Sequence, residues 1–204
     1  MTEALLLTMM DPPQGGDAEF NDWANLEHIP ERRETPGFRT ALRFQNKLSS
    51  PRYTAIYDID DRSVLESAPY RAISGEKLSP WSKRILARAS ARWRFEGSRI
   101  GALGDGSPTG AKGPIAELLL IQWRGVPEKC DETVVSTLKR TVGNLPGVIQ
   151  LRGFVGERDG RFDYVAIVES TQPFDAEFTD RTRFATPSHA CDSAGVFVPI
   201  EVGT

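Results

Sequence analysis

The stretch Phe20 to Phe38, FNDWANLEHIPERRETPGF, decides how this chain folds, because it reads as one amphipathic helix closed by a Pro-Gly stop. At about 100° per residue, Phe20, Trp23 and Ala24 share a face with Leu26 at its edge. Glu27 then projects from the middle of that apolar face, with His28 flanking it. A carboxylate in such a place is costly unless it is paired or faces a wet cavity, so the pattern marks a candidate site. Pro30 removes a backbone donor and pushes Ile29 away from helical geometry, which leaves the register beyond it open. Pro36-Gly37 ends the helix, glycine being suited to a left-handed terminating residue.

Working outward, EALLLTMM at 3–10 is an apolar run bounded by Asp11-Pro12-Pro13 and suits a strand covered on both faces. FRTALRFQ at 38–45 and RYTAIYDI at 52–59 alternate as a β-hairpin does. A helical region follows over 62–74, then a short helix over 80–87 with Ser79 as N-cap and Pro80 at its first position, then a strand over 89–97. The order is β-α-β-β-α-β, the split βαβ or ferredoxin-like unit. GDGSPTGAKG at 104–113 reads as a linker, and its glycine and lysine spacing is not that of a phosphate loop. The order then repeats: strand 115–123, helix 127–144, strands 148–156 and 161–169, a helical or irregular 173–185, and a strand near 195–202. Pro36-Gly37 recurs as Pro146-Gly147, and Tyr53, Ala55 and Ile56 recur as Tyr164, Ala166 and Ile167. The expected fold class is therefore α+β: two tandem ferredoxin-like βαββαβ repeats, 1–103 and 114–204, joined at 104–113. Their apolar sheets are expected to pack on each other with helices outside, as a single-chain version of a dimer.

The totals bound the function. The chain has 204 residues, 39% of them hydrophobic and 26% charged, with a formal charge of -3, which argues against a nucleic-acid or acidic-membrane partner. Cys130 and Cys191 stand alone, with no Cys/His cluster, so the expectation is free thiols, no metal and a cytoplasmic setting. The N-terminal apolar run is too short for a bilayer span and lacks a basic leader.

The residues Trp23, Glu27-His28-Ile29-Pro30-Glu31-Arg32 and Pro36-Gly37-Phe38, followed by RYTAIYDIDDRSVLESAPYRA and SPWSKRI, resemble the dimeric α+β barrel superfamily and, within it, the EthD-like branch. The resemblance covers roughly residues 3–100. It implies small apolar or aromatic ligands held between sheet and helices, and chemistry that includes isomerisation, dehydration, decarboxylation and cofactor-free or haem-dependent oxygenation. Ala24 departs from the pattern, which has an aromatic residue after the Trp; the smaller side chain implies a wider pocket.

His28 is the leading candidate for a general acid or base, its alternative being a structural histidine at the Pro30 break. Glu27 could orient or tune it, the alternative being a salt bridge to Arg32 or Arg43. Trp23, Arg32, Phe44, Tyr53, Tyr57 and Trp81 are expected to bind ligand, though aromatics at this spacing also build cores. Lys83, Arg84, Arg88, Arg92, Arg94 and Arg99 form a basic stretch that either attracts an anionic ligand or is a solvated face. His189 and Cys191 lack a third ligand nearby in sequence and make a poor metal site. With Pro-Gly as register, His28 corresponds to Leu138 and Glu27 to Thr137, so the polar site belongs to the first half, with the second as lid or scaffold. The expected function is a small enzyme acting on a hydrophobic or aromatic molecule by His-mediated proton transfer, an isomerase, dehydratase or lyase with no cofactor, a homodimer being one open arrangement. Its alternatives are a non-catalytic ligand-binding protein and a haem-dependent or cofactor-free monooxygenase, with His28 as axial ligand in the haem case.

Overall fold

The computed structural model describes residues 3–46, 48–100 and 107–200. The first of eight strands is β1 (Ala4–Asp11), and the helical stretch after it is built of α1 (Asp17–Trp23), a π-helical turn (Ala24–His28) and α2 (Ile29–Arg33). Then come β2 (Leu42–Gln45), β3 (Tyr53–Ile59), α3 (Ala68–Arg71), α4 (Pro80–Arg88) and β4 (Ser90–Ile100). The second half supplies β5 (Glu117–Val126), α5 (Asp131–Val142), β6 (Val148–Arg158), β7 (Arg161–Ser170) and β8 (Ser193–Pro199). Where the first half has α3 and α4 before its last strand, the second has only 3-10 turns at Ala176–Thr179 and Arg181–Phe184.

The strands close into a barrel in the order β1-β3-β2-β8-β5-β7-β6-β4, so the two halves follow the same internal order, β4-β1-β3-β2 and β8-β5-β7-β6. The expectation of two facing sheets is corrected here: the halves join edge to edge. Phe44 and Gln45 of β2 pair with Pro199 and Val198 of β8, and Ser98 to Ile100 of β4 pair with Val155 to Gly153 of β6. Open half-sheets would leave rows of unpaired N–H and C=O groups on β2, β4, β6 and β8, and closure satisfies them. Alternation along the strands then fills the inside. Leu5, Leu7, Phe44, Ile56 and Phe95 from the first half interlock with Leu118, Leu120, Phe154, Val165, Ile167 and Phe197 from the second. The opposite faces carry the helices. Ala4, Leu6, Tyr57 and Ile59 lie beneath Ile29 and Tyr70, while Leu119, Ile121, Trp123 and Ala166 lie beneath Val134, Leu138 and Val142.

One end of the barrel is closed by buried charge. Arg152 on β6 reaches Asp58 on β3 and Thr109, with Glu169 on β7 at 3.4 Å. Asp58 accepts from Thr109 N at 2.7 Å and Glu169 from Gly110 N at 3.0 Å, so the segment read as a flexible linker is tied down where it is described. Its first residues, 104–106, lie outside the described set. A matching tie recurs in both halves: Tyr53 donates to Asp17 in the first turn of α1, and Tyr164 to Asp131 in the first turn of α5, each at 2.9 Å.

Candidate active site

The helix over 17–33 is not regular, and the site follows from that. Pro30 has no N–H for the Leu26 carbonyl and its ring would press on that carbonyl. The turn before it widens, and Ile29 N–H bonds to Ala24 O, five residues back. One extra residue in the turn shifts the apolar face. Instead of Phe20, Ala24 and Glu27, the buried line runs through Phe20, Trp23, Ala24, Ile29 and Arg32, and Leu26 stands 73% exposed. The sequence-based position of Glu27, in the middle of the apolar face, is corrected by this turn.

Glu27 is rotated toward α4, where its Oε1 accepts from Ser79 Oγ at 2.6 Å and Ser82 Oγ at 2.9 Å. Ser82 Oγ in turn accepts from Trp23 Nε1 at 2.9 Å. Trp23, Ser82, Glu27 and Ser79 thus form a chain that fastens the π turn to the start of α4. No hydrogen bond links Glu27 to His28 among the described residues, and neither Arg32 nor Arg43 pairs with Glu27. Arg32 reaches Glu31 at 3.4 Å and the Ile73 carbonyl at 3.2 Å, while Arg43 is held by Asn21 Oδ1 at 2.8 Å and Asn25 Oδ1 at 2.7 Å.

His28 instead turns onto the wall of a cavity of about 540 Å3 between the outer face of the first half-sheet and its helices. That size is within the range of small-molecule sites. Leu6, Thr8 and Met10 of β1 and Tyr57 of β3 form its floor, Arg92, Trp93 and Arg94 of β4 one side, and His28 and Arg32 the other. Tyr70, Ser74, Gly75, Leu78 and Leu86 complete it. Every described lining residue comes from the first half. Behind His28 and Tyr57, a void of about 20 Å3 separates them from Arg43 and Tyr53, room for about one water.

The His28 ring lies 4.5 Å from the Trp23 ring and 6.3 Å edge-on from that of Tyr57. Its Nδ1 is sequestered without a partner, which leaves Nε2 as the nitrogen open to the cavity. Burial first, then the positive charges of Arg32, Arg43 and Arg94, hold its pKa well below the usual histidine value, so the imidazole is neutral at pH 7. Tyr57 is buried with an unpartnered hydroxyl, and burial pushes its phenol up to about 12, where it is a donor and not a base. Desolvation also lowers the Arg43 pKa, yet at neutral pH it remains a cation.

Of the expected ligand-binding residues, Arg32 and Tyr57 line the cavity, and Trp23 backs it through the His28 ring. Tyr53 is engaged with Asp17, Phe44 points into the barrel interior, and Trp81 on α4 lies off the cavity. The basic stretch divides three ways: Arg84 and Arg88 pair with Glu19, Arg99 with Glu3, and Arg92 and Arg94 line the cavity. Arg94 also donates to the Tyr70 hydroxyl at 3.0 Å. The alternation of Arg92 and Arg94 on one strand face was the sequence signal for this wall. His189 meets the Arg124 carbonyl at 3.1 Å, and no cluster of three or more His, Cys, Asp or Glu that could hold a metal is found among the described residues. Both cysteines are free, and no described helix is long and apolar enough to cross a membrane.

No family model and no curated protein matches this chain. Solved structures do. An anthrone oxidase-like protein superposes with a TM-score of 0.62 at 9% identity, covering 98% of this chain and 92% of that one. A candidate monooxygenase from Lactobacillus acidophilus gives 0.54 at 10%, covering 100% and 95%. A heme-binding protein from Thermus thermophilus gives 0.54 at 10%, covering 98% and 92%. At such identities the likeness shows the fold alone, an eight-stranded α+β barrel, and not the EthD-like branch. The expected isomerase or lyase reading is corrected on two counts: these neighbours are described by oxidation or haem binding, and the Glu27 meant to orient His28 serves α4 instead.

Proposed function

We propose that this chain is a monooxygenase-type enzyme of the EthD-like kind that oxidises an aromatic small molecule with dioxygen, using His28 as the proton acceptor. The observation that carries this is a neutral imidazole on a cavity wall, surrounded by guanidinium groups. Such a group takes a proton from an acidic C–H or O–H, and the same cations that keep it neutral stabilise the substrate anion that forms. The substrate anion supplies the electrons to dioxygen: an activated methylene becomes a carbonyl with one oxygen atom, and the other leaves as water. Leu6, Met10, Leu86 and Trp93 give the ring system an apolar bed. The barrel beneath supports reading the halves 1–103 and 114–204 as ferredoxin-like repeats. Their shared strand order and the paired Tyr53–Asp17 and Tyr164–Asp131 ties favour it.

A haem is the second reading. His28 Nε2 faces the cavity and could hold the iron, with Arg32, Arg92 and Arg94 for its propionates, and the group would supply oxygen activation. No carbonyl or carboxylate accepts from Nδ1 to fix such a ligand, and cations close to the imidazole weaken it as a donor. The test is oxygen uptake with anthrone-type hydroxyaromatics, wild type against His28→Ala, beside a haem titration followed by visible absorbance. Uptake lost in the variant supports the proposal. No His28-dependent uptake, with a Soret band that vanishes in the variant, replaces it with the haem reading.

A further inference from the structure

We infer that the cavity is built for an aromatic ligand that carries a carboxylate, bound at its rim by Arg92 and Arg94. This rests on the oxygenase reading of the same site and names the class of its substrate. Three arginines line the cavity and no aspartate or glutamate does. A chain whose formal charge is -3 has gathered positive charge at this one apolar hollow. Arg32 is buried at 4% exposure, and its one carboxylate contact is to Glu31 at 3.4 Å. Arg92 bonds only to the Leu86 carbonyl at 3.1 Å and makes no ion pair among the described residues. Arg94 shares Glu96 and the Tyr70 hydroxyl, and its side chain is still 45% exposed.

Arg92 and Arg94 are alternate residues of β4, so their side chains leave the same face about 7 Å apart along the strand, a span that one carboxylate can bridge. The rim is therefore cationic and the floor apolar. The second observation is inside. The Tyr57 hydroxyl and His28 Nδ1 are sequestered, so neither is exposed to a ligand in the cavity, whose floor is otherwise Leu6, Thr8 and Met10. The geometry thus favours a ligand with a carboxylate at the rim and a planar hydrocarbon body inside.

The test is isothermal titration of the full chain with 2-naphthoate, 6-hydroxy-2-naphthoate and 2-naphthol, without turnover. Both acids are expected to bind at least about tenfold tighter than the naphthol, with the advantage shrinking in high salt. Arg92→Gln and Arg94→Gln are expected to erase that advantage, and Arg71→Gln, the same charge change at an exposed site off the cavity, to preserve it. Equal affinity for acid and naphthol, or loss of the advantage in Arg71→Gln as well, overturns the inference. Binding is read apart from oxidation, so acid-selective binding without any oxygen uptake would end the oxygenase reading and leave this one standing.

Discussion

His28→Gln tests the neutral imidazole through stability. The folded-state pKa of His28 lies well below the usual value, and in the unfolded chain the ring returns to about 6.5. The folded pKa is depressed, so this contribution is fully present above pH 6.5 and is lost as pH falls, because only the unfolded state takes up the proton. Between pH 6.5 and pH 5.5 linkage therefore favours the unfolded state increasingly, by at most about 1.4 kcal/mol per pH unit. Urea unfolding at both pH values, wild type against His28→Gln, measures it. Carboxylates titrate alike in the two proteins and cancel in the difference. Residues of both halves interlock inside the barrel, which favours one cooperative transition. A His28 ring that titrates near 6.5 in the folded protein by NMR, or a pH slope unchanged in the variant, would refute both the buried neutral state and the proton-acceptor role that depends on it.

Glu27→Gln should cost about 1–2 kcal/mol of stability through weakened bonds from Ser79 and Ser82, as urea denaturation would show. Tyr57→Phe removes a sequestered hydroxyl with no hydrogen-bond partner, so the protein should be as stable or up to about 1 kcal/mol more stable in urea unfolding. Arg152→Met strands Asp58 and Glu169 in the barrel end and should cost about 3–5 kcal/mol in thermal or urea unfolding. Gly37 sits at φ +90°, where an added methyl would lie 2.5 Å from Val64, whereas at Gly147, φ +81°, the nearest contacts would be 3.0 Å; Gly37→Ala should therefore destabilise more than Gly147→Ala, by about 1 kcal/mol or more.

The strands, the first helix and the Pro-Gly turns were legible because each is written locally, in alternation, in periodicity and in residues with restricted backbones. Edge-to-edge closure was not, since it depends on which strand edges meet, and no side-chain pattern within one strand records that. Pro30 signalled an irregular helix but not its direction. The extra residue of the π turn moved Glu27 off the apolar face and His28 onto the cavity, so the two residues that looked like partners in sequence serve different elements. The charged barrel end had a fainter signal. Asp58 in YTAIYDI shares the inward phase with Thr54 and Ile56, and Arg152 in VIQLRGFVG shares it with Gln150 and Phe154, so each charge reads as odd alone until both are placed at the same end.

The coverings of the two half-sheets differ among the described residues. In the second half, Leu138 takes the place of His28, and Val134, Leu138 and Val142 of α5 pack directly on Trp123, Tyr164 and Ala166. Phe178 and Phe184, from the 3-10 turns after β7, fill the remaining space, and the Phe184 carbonyl accepts from Trp123 Nε1 at 3.0 Å. In the first half, the bonds of Glu27 to Ser79 and Ser82 tie the start of α4 to the π turn, and the cavity lies open between Leu78, Leu86 and β1. A Leu138→His substitution alone would therefore create a buried imidazole and no site. The cavity thus belongs to the helices that cover the first half-sheet, and Glu27, the neighbour of His28 in sequence, anchors α4 and makes no bond to the imidazole among the described residues.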